Sequence, residues 1–276
     1  MRYLKETLRY IFAQGKGKHF GLLFLFSLLP AALLAHAVPI EIFLSNLISP
    51  PDYQWWGELW MAHLDCGYRS IFSIVVALLL AFVTTACICR MVIRHFRIGK
   101  LSFPNILNSA NDNFLACLSY GLAKMGIYLV TYTIFTLFEY LWYSTCSYVV
   151  FIVLTSITAV VLLIPVIYIT SSFTLWLPTM MIKGLHGKNA FTTALYQSRG
   201  KQKLFLPGKI FVVLLFVVSM ILSYFFAKIW YVSWIINTVF YAVAYAFTLC
   251  HLVVVYFGEN LLPREDLRKK PYTRRY

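Results

Sequence analysis

Residues Lys209–Phe257 read KIFVVLLFVVSMILSYFFAKIWYVSWIINTVFYAVAYAFTLCHLVVVYF, and beyond its first residue the only charge in this block is Lys228. A bilayer crossing takes about 20 apolar residues. As one helix the block would extend to roughly 70 Å, far beyond any bilayer. It therefore reads as two crossings, with the turn near Lys228 to Ser233.

The rest of the chain repeats that character. Of 276 residues, 61% are hydrophobic, 18% aromatic and only 12% charged. Soluble domains carry roughly 25% charged residues. Half that leaves too little polar surface to cover a globule in water, and lipid is the solvent that accepts several long apolar helices. Four further spans are expected: about Gly21 to Val38, extending toward Leu44; Ser70 to Ile93; Leu115 to Phe138; and Tyr148 to about Met181. The fourth exceeds one crossing, so it is expected to tilt, to bend at Pro165 or to emerge from the membrane. The first apolar run is too long for a signal-peptide core and is expected to be retained as an anchor.

Orientation follows from lysine and arginine. Basic residues gather before span one (Arg2, Lys5, Arg9, Lys16, Lys18) and after span two (Arg90, Arg94, Arg97, Lys100). They gather again after span four (Lys183, Lys188, Arg199, Lys201, Lys203, Lys209) and in the tail from Arg264. Glu41, Asp52, Glu58, Asp65 and Glu139 fall on the opposite side. This asymmetry predicts six spans with both termini cytoplasmic. It also accounts for the net charge of +14 without nucleic acid, and it predicts attraction to anionic lipid headgroups at the cytoplasmic face.

The cytoplasmic segments carry helical periodicity. Leu4, Leu8, Ile11 and Phe12 share one face; so do Phe103, Ile106, Leu107, Ala110 and Phe114, after the start signal Ser102 and Pro104; so do Ala190, Phe191, Ala194 and Leu195. Apolar faces with basic neighbours suit helices lying in the headgroup plane. The expected fold is thus an all-α membrane protein: six transmembrane helices as three hairpins, each preceded by a short amphipathic interfacial helix. The units are about 1–97, 98–180 and 181–258, within one membrane domain over 1–260 followed by a basic flexible cytoplasmic tail over 261–276. The outer loop from Ser45 to Tyr68 carries Trp55, Trp56 and Trp60, which read as interfacial anchors.

Residues 176–215 read WLPTMMIKGLHGKNAFTTALYQSRGKQKLFLPGKIFVVLL. This segment resembles the membrane domain attached to some bacterial glycerophosphodiester phosphodiesterases, and related six-span bacterial membrane proteins. Pro178 matches that family's proline at the end of a span, Gly184 or Gly187 its turn, Ala190 its helix alanine, and Arg199-Gly200 its basic-glycine pair. Ala194 stands where the family prefers serine. The resemblance implies a six-helix domain of a bacterial inner membrane and no chemistry of its own, since the phosphodiesterase activity belongs to a separate soluble barrel.

Chemistry is sought first among ionisable residues within spans. Lys124 lies about ten residues into the third run, beside Gly121 and Gly126, either contacting a substrate or headgroup or snorkelling to the surface. With Arg199, Lys201 and Lys203 it forms the set of candidate lipid or substrate contacts. His251 and Glu259 are close enough in sequence to share a helical face near the end of span six. Cys66 and Cys146 fall in successive outer connections and are candidates for a disulfide. The run Thr170, Ser171, Ser172, Thr174 either back-bonds to its helix or lines a polar pocket. The histidines lack metal-ligand spacing, and no nucleophile elbow, zinc-protease motif or phosphate loop occurs, so no cofactor, metal or catalytic residue is assigned.

These features predict a non-enzymatic membrane scaffold or regulatory component acting on lipid, on a membrane-protein partner or on a second copy. The alternative is a small transporter or lipid-handling carrier. A polar cavity reaching Lys124 or the Thr170–Thr174 run favours the carrier, and a dry aromatic interior favours the scaffold.

Overall fold

The computed structural model describes residues 1–13, 18–62, 68–99, 106–185 and 187–264. Among them every regular element is helical. The elements are α1 (Arg2–Leu8), which runs into a π-turn at Arg9–Ala13, then α2 (Lys18–Ala37), α3 (Glu41–Ile48) and α4 (Trp56–Ala62). There follow α5 (Tyr68–Ile98), α6 (Ile106–Thr145), α7 (Tyr148–Ser172) and α8 (Trp176–Lys183), and then α9 (Gly187–Ser198), α10 (Gln202–Phe225) and α11 (Trp230–Glu259). Six segments are long and apolar enough to cross a membrane: α2 with α3, α5, α6, α7 with α8, α10, and α11. The chain is a multi-pass helical membrane protein.

The long apolar block divides as its single internal charge predicts. α10 ends at Phe225, and α11 begins at Trp230 after a turn that holds Lys228. α11 is the central helix, its apolar stretch largely buried, whereas those of α6, α7 and α10 are mostly exposed. It packs on α2, α5 and α10. α6 packs on α5 and α7, and α7 reaches α10. The exposed leucines, valines and isoleucines of α6 and α7 suit a lipid solvent, which removes the usual penalty on apolar surface.

Three details qualify the sequence expectation. The N-terminal helix forms, but of its expected apolar face Leu4 and Leu8 are half-buried and Phe12 is 50% exposed, while protein covers a neighbouring face. Tyr3, Thr7, Tyr10 and Ile11 are buried, and α1 packs on α11 and α10. The hydroxyls of Tyr3 and Thr7 suit that dock, because each finds a partner on α11. The second amphipathic segment is not a separate helix from Ile106 onward: it continues unbroken into α6 as far as Thr145. Exposed Asn108, Asn111 and Asp112 wet its first turns without breaking them, and Ser102, Phe103 and Pro104 lie outside the described residues. The fourth span stays helical through Pro165 and ends at Phe173–Leu175, after which α8 follows as its own helix, in line with the expectation that it emerges.

α8 and α9 form a small corner at the end of the molecule that carries the basic residues. Gly184 closes α8 in the left-handed region at φ 66°, which favours a residue without a β-carbon. Ala190, Ala194 and Ser198 form the buried face of α9, and Phe191 packs its ring on Phe173 and Trp176 at 5.3 and 5.2 Å. Small residues on that face let the two helices approach closely.

Candidate functional site

A largely apolar cleft of about 340 Å³ lies around Lys124. α5 contributes Phe82 and Thr85, α6 contributes Tyr120, Lys124 and Tyr128, and α10 and α11 contribute Phe216 and Tyr245. α6 and α10 face each other across it without extended contact, while α7 packs on both. Tyr128 lines the cleft yet is 48% exposed, so the cleft opens on the outer surface of the helices. Gly121 on its wall is crowded: a β-carbon there would meet the Phe82 ring at 2.3 Å.

The Lys124 ammonium sits over two rings, 5.3 Å from the centroid of Tyr120 and 5.8 Å from that of Tyr128. Cation–π attraction of this kind is worth about 2 kcal/mol when desolvated. It does not neutralise the charge. No carboxylate lines the cleft among the described residues, and Lys209 on α10 is near enough to interact electrostatically with Lys124. Behind them the Tyr245 hydroxyl donates to the Ala81 carbonyl at 2.5 Å and lies 2.5 Å from Thr85 Oγ1. The back wall is thus polar but satisfied. Among the described residues that line the cleft, Lys124 is the one formally charged group, and it calls for a counter-ion.

A second polar cluster lies at the acidic end. The Asn237 amide donates to Glu41 Oε2 at 2.7 Å, and the Ser233 hydroxyl donates to Glu41 Oε1. The hydroxyls of Ser219 and Ser223 donate to Asn237 Oδ1 at 2.9 and 2.6 Å. This network stitches α3 to α10 and α11. A serine or asparagine inside an apolar span costs several kcal/mol unless it is bonded, and here each one is.

At the basic end Lys201 Nζ lies 2.6 Å from Glu259 Oε2, and the Tyr3 hydroxyl donates to Oε1 at 2.6 Å. Burial, and then the bond to Glu259, raises the Tyr3 phenol above its ordinary range, so it remains a donor at neutral pH. His251 Nδ1 lies 3.0 Å from Thr7 Oγ1, and its other face is closed by Gly208. His251 and Glu259 therefore take separate partners on the N-terminal segment and form no pair.

Of the four candidate contact residues only Lys124 enters the cleft. Lys201 is held by Glu259, and Arg199 and Lys203 are exposed at the basic end. Thr170, Ser171 and Ser172 each donate to a carbonyl of their own helix, and Thr174, in the turn that follows, donates to the Thr170 carbonyl. Cys66 lies outside the described residues, and with it the pairing to Cys146. Trp56 and Trp60 of α4 donate to Thr136 and Thr133 of α6 at 3.1 and 3.4 Å, tying the outer loop to the bundle. Sequence reasoning missed Lys209, which reads as one more topological charge. The signal was its place after Pro207 and Gly208 inside an apolar helix, where it is drawn in among the spans. No family model, no curated protein and no solved structure matches this chain.

Proposed function

We propose that this chain is a non-enzymatic, lipid-handling membrane protein whose α6–α10 cleft takes the anionic head of an amphiphile. The observation that carries the reading is Lys124, an ammonium within a span, facing a largely apolar cleft without a carboxylate and near a second ammonium at Lys209. Ionisable residues within spans are expensive and are retained mainly where they bind or conduct. An unpaired ammonium in low dielectric is costly, and an anion beside Lys124 offsets that cost. The apolar and aromatic walls suit an acyl chain, and the exposed Tyr128 edge gives such a chain a way in from the bilayer.

The rest of the reading follows the charge asymmetry. The basic end faces the cytoplasm, with both termini there, and α2/α5, α6/α7 and α10/α11 act as three hairpins. The corner around Pro178, Gly184 and Arg199-Gly200 fits the resemblance to the six-span bacterial domains, which adds an architecture and no activity. A scaffold working through interfacial helices is less well supported, because α1 packs on α11 and α10. Native mass spectrometry of the full chain with an anionic and a zwitterionic phospholipid tests the reading. Wild type should retain the anionic lipid, and Lys124→Met should lose it by about tenfold, the effect of one charge-assisted contact. Retention of the anionic lipid by Lys124→Met at the wild-type level would return the scaffold.

A further inference from the structure

At the acidic end a second cavity, of about 560 Å³, lies between the α2–α3 break and the α10–α11 turn. Glu41, His36, Trp230 and Trp234 line it. Its volume falls in the ordinary range for small-ligand sites. The Glu41 carboxylate is held by neutral donors, Ser233 and Asn237. Asn237 is fully buried, and its amide oxygen already takes Ser219 and Ser223, so the amide nitrogen is the group turned toward Glu41. These bonds come from neutral donors and fix the carboxyl group in place. Among the described residues no lysine or arginine pairs with it. Each carboxylate oxygen can accept a further hydrogen bond.

The aromatic walls are equally specific. The Trp234 indole donates to the Ala32 carbonyl at 2.9 Å, which pins that ring on the cavity wall. Trp230, 74% exposed, stands at the rim. An interfacial anchor would account for Trp230 alone. It does not account for a fixed, unneutralised carboxylate sharing a cavity with two indoles. Tryptophan faces are the best aromatic partners for a cation, and a fixed carboxylate supplies the counter-charge.

We propose that this cavity binds an organic ammonium group, with Glu41 as its counter-ion and Trp230 and Trp234 as its aromatic walls. The group is the head of an aminophospholipid or a free amine. The proposal stands apart from the Lys124 reading, since the two cavities share no lining residue.

The test is native mass spectrometry of the full chain in micelles, offered phosphatidylethanolamine, phosphatidylcholine and phosphatidylglycerol at equal concentration. In the Lys124→Met background, which removes the cleft's anion contact, the protein should keep an ammonium-headed lipid in preference to phosphatidylglycerol. Glu41→Gln preserves most of the local hydrogen bonding and should reduce that retention by about tenfold, while Trp230→Ala, at an exposed position, should reduce it several-fold. Lys124→Met should lose phosphatidylglycerol and keep the ammonium-headed lipid, which separates the two cavities. Displacement by free ethanolamine would assign the ammonium to a soluble amine, and retention despite excess ethanolamine would assign it to the intact lipid. A Lys124→Met protein that holds phosphatidylglycerol as well as the other two overturns the site. So does a Trp230→Ala protein that keeps the preference in that background, alongside an equally unaffected Glu41→Gln protein.

Discussion

Glu259, the last residue of α11, receives the Lys201 ammonium at 2.6 Å, and its other oxygen accepts from the Tyr3 phenol. One carboxylate thereby joins the N-terminal helix, the α9–α10 connection and the central helix. Most of the Glu259 side chain is covered, and that of Lys201 is 44% exposed. The ion pair is therefore screened and contributes about 0–1 kcal/mol, while the phenol–carboxylate bond contributes about 1.5–3 kcal/mol. Glu259→Gln should loosen α1. Hydrogen exchange of the Tyr3–Ile11 amides should quicken by about tenfold, with α11 unaffected.

The same contact has a pH signature. The folded Tyr3 phenol titrates above its ordinary value of 10.0, because burial and the Glu259 bond favour the protonated form. Docking of α1 is then fully stabilised below about pH 10, where both folded and free phenols are protonated, and weakens as pH rises further. Exchange protection of α1, corrected for intrinsic rates, should hold from pH 7 to 9 and fall above 10. A loss centred near neutrality would mean that another group governs the dock.

Glycines on α6 and α10 should respond in opposite directions to the same substitution. A β-carbon at Gly208 would lie 2.2 Å from His251 Nε2, and that imidazole is buried against Phe247. Gly208→Ala should therefore destabilise the bundle by about 1–3 kcal/mol through overpacking. Gly126 has nothing within 4 Å of its β-position. There alanine should be neutral or stabilising by up to about 1 kcal/mol through helix propensity. Thermal unfolding in detergent should separate the two variants in opposite directions from wild type.

The six crossings were legible because each apolar run exceeds a bilayer's thickness, and Lys228 marked the one turn hidden inside a continuous apolar block. Pro165 shows where local rules stop. Its ring removes one helical hydrogen bond, but the chain breaks instead at Phe173–Leu175, where α8 turns to pack on α6 and α11. The periodicity of Leu4, Leu8 and Ile11 announces an apolar face, yet nothing in it says whether lipid or α11 covers that face. The pairing of Asn237 with Glu41 spans 196 residues, and a sequence pattern carries no such contact. Lys209 was obscured by the topology rule itself, which counts charges by segment and not by depth.

Replacing Asn237 should show what the acidic-end network contributes. Asn237→Ala removes a donor to Glu41 and the acceptor shared by Ser219 and Ser223. Hydrogen bonds between membrane helices average about 0.6 kcal/mol, with a maximum near 1.7. Three such bonds give an expected loss of roughly 2 kcal/mol, softened where the two serines turn back to their own helix carbonyls. Asn237→Ala should lower the unfolding midpoint, and adding Ser219→Ala should lower it little further, because the partner is already gone. Full additivity of the two would mean that Asn237 acts through packing and not through the bond.

Lys124 yields the sharpest expectation because its sign depends on the surroundings. Without an anion the ammonium faces apolar walls, two tyrosine rings and a neighbouring like charge on Lys209. Replacing such a buried charge with a methionine of similar length relieves desolvation and is commonly neutral or stabilising by about 1–4 kcal/mol. In neutral detergent stripped of lipid, Lys124→Met should therefore unfold at a higher temperature than wild type. Anionic lipid reverses the order, since a ligand that binds only the folded state adds about 2.7 kcal/mol at a hundredfold excess over its Kd. Wild type should gain several degrees on addition of phosphatidylglycerol, and Lys124→Met should gain little. If the variant is less stable in both media, Lys124 serves the fold through its rings and not a ligand. The crossing of the two orders is what an anion site in the cleft requires.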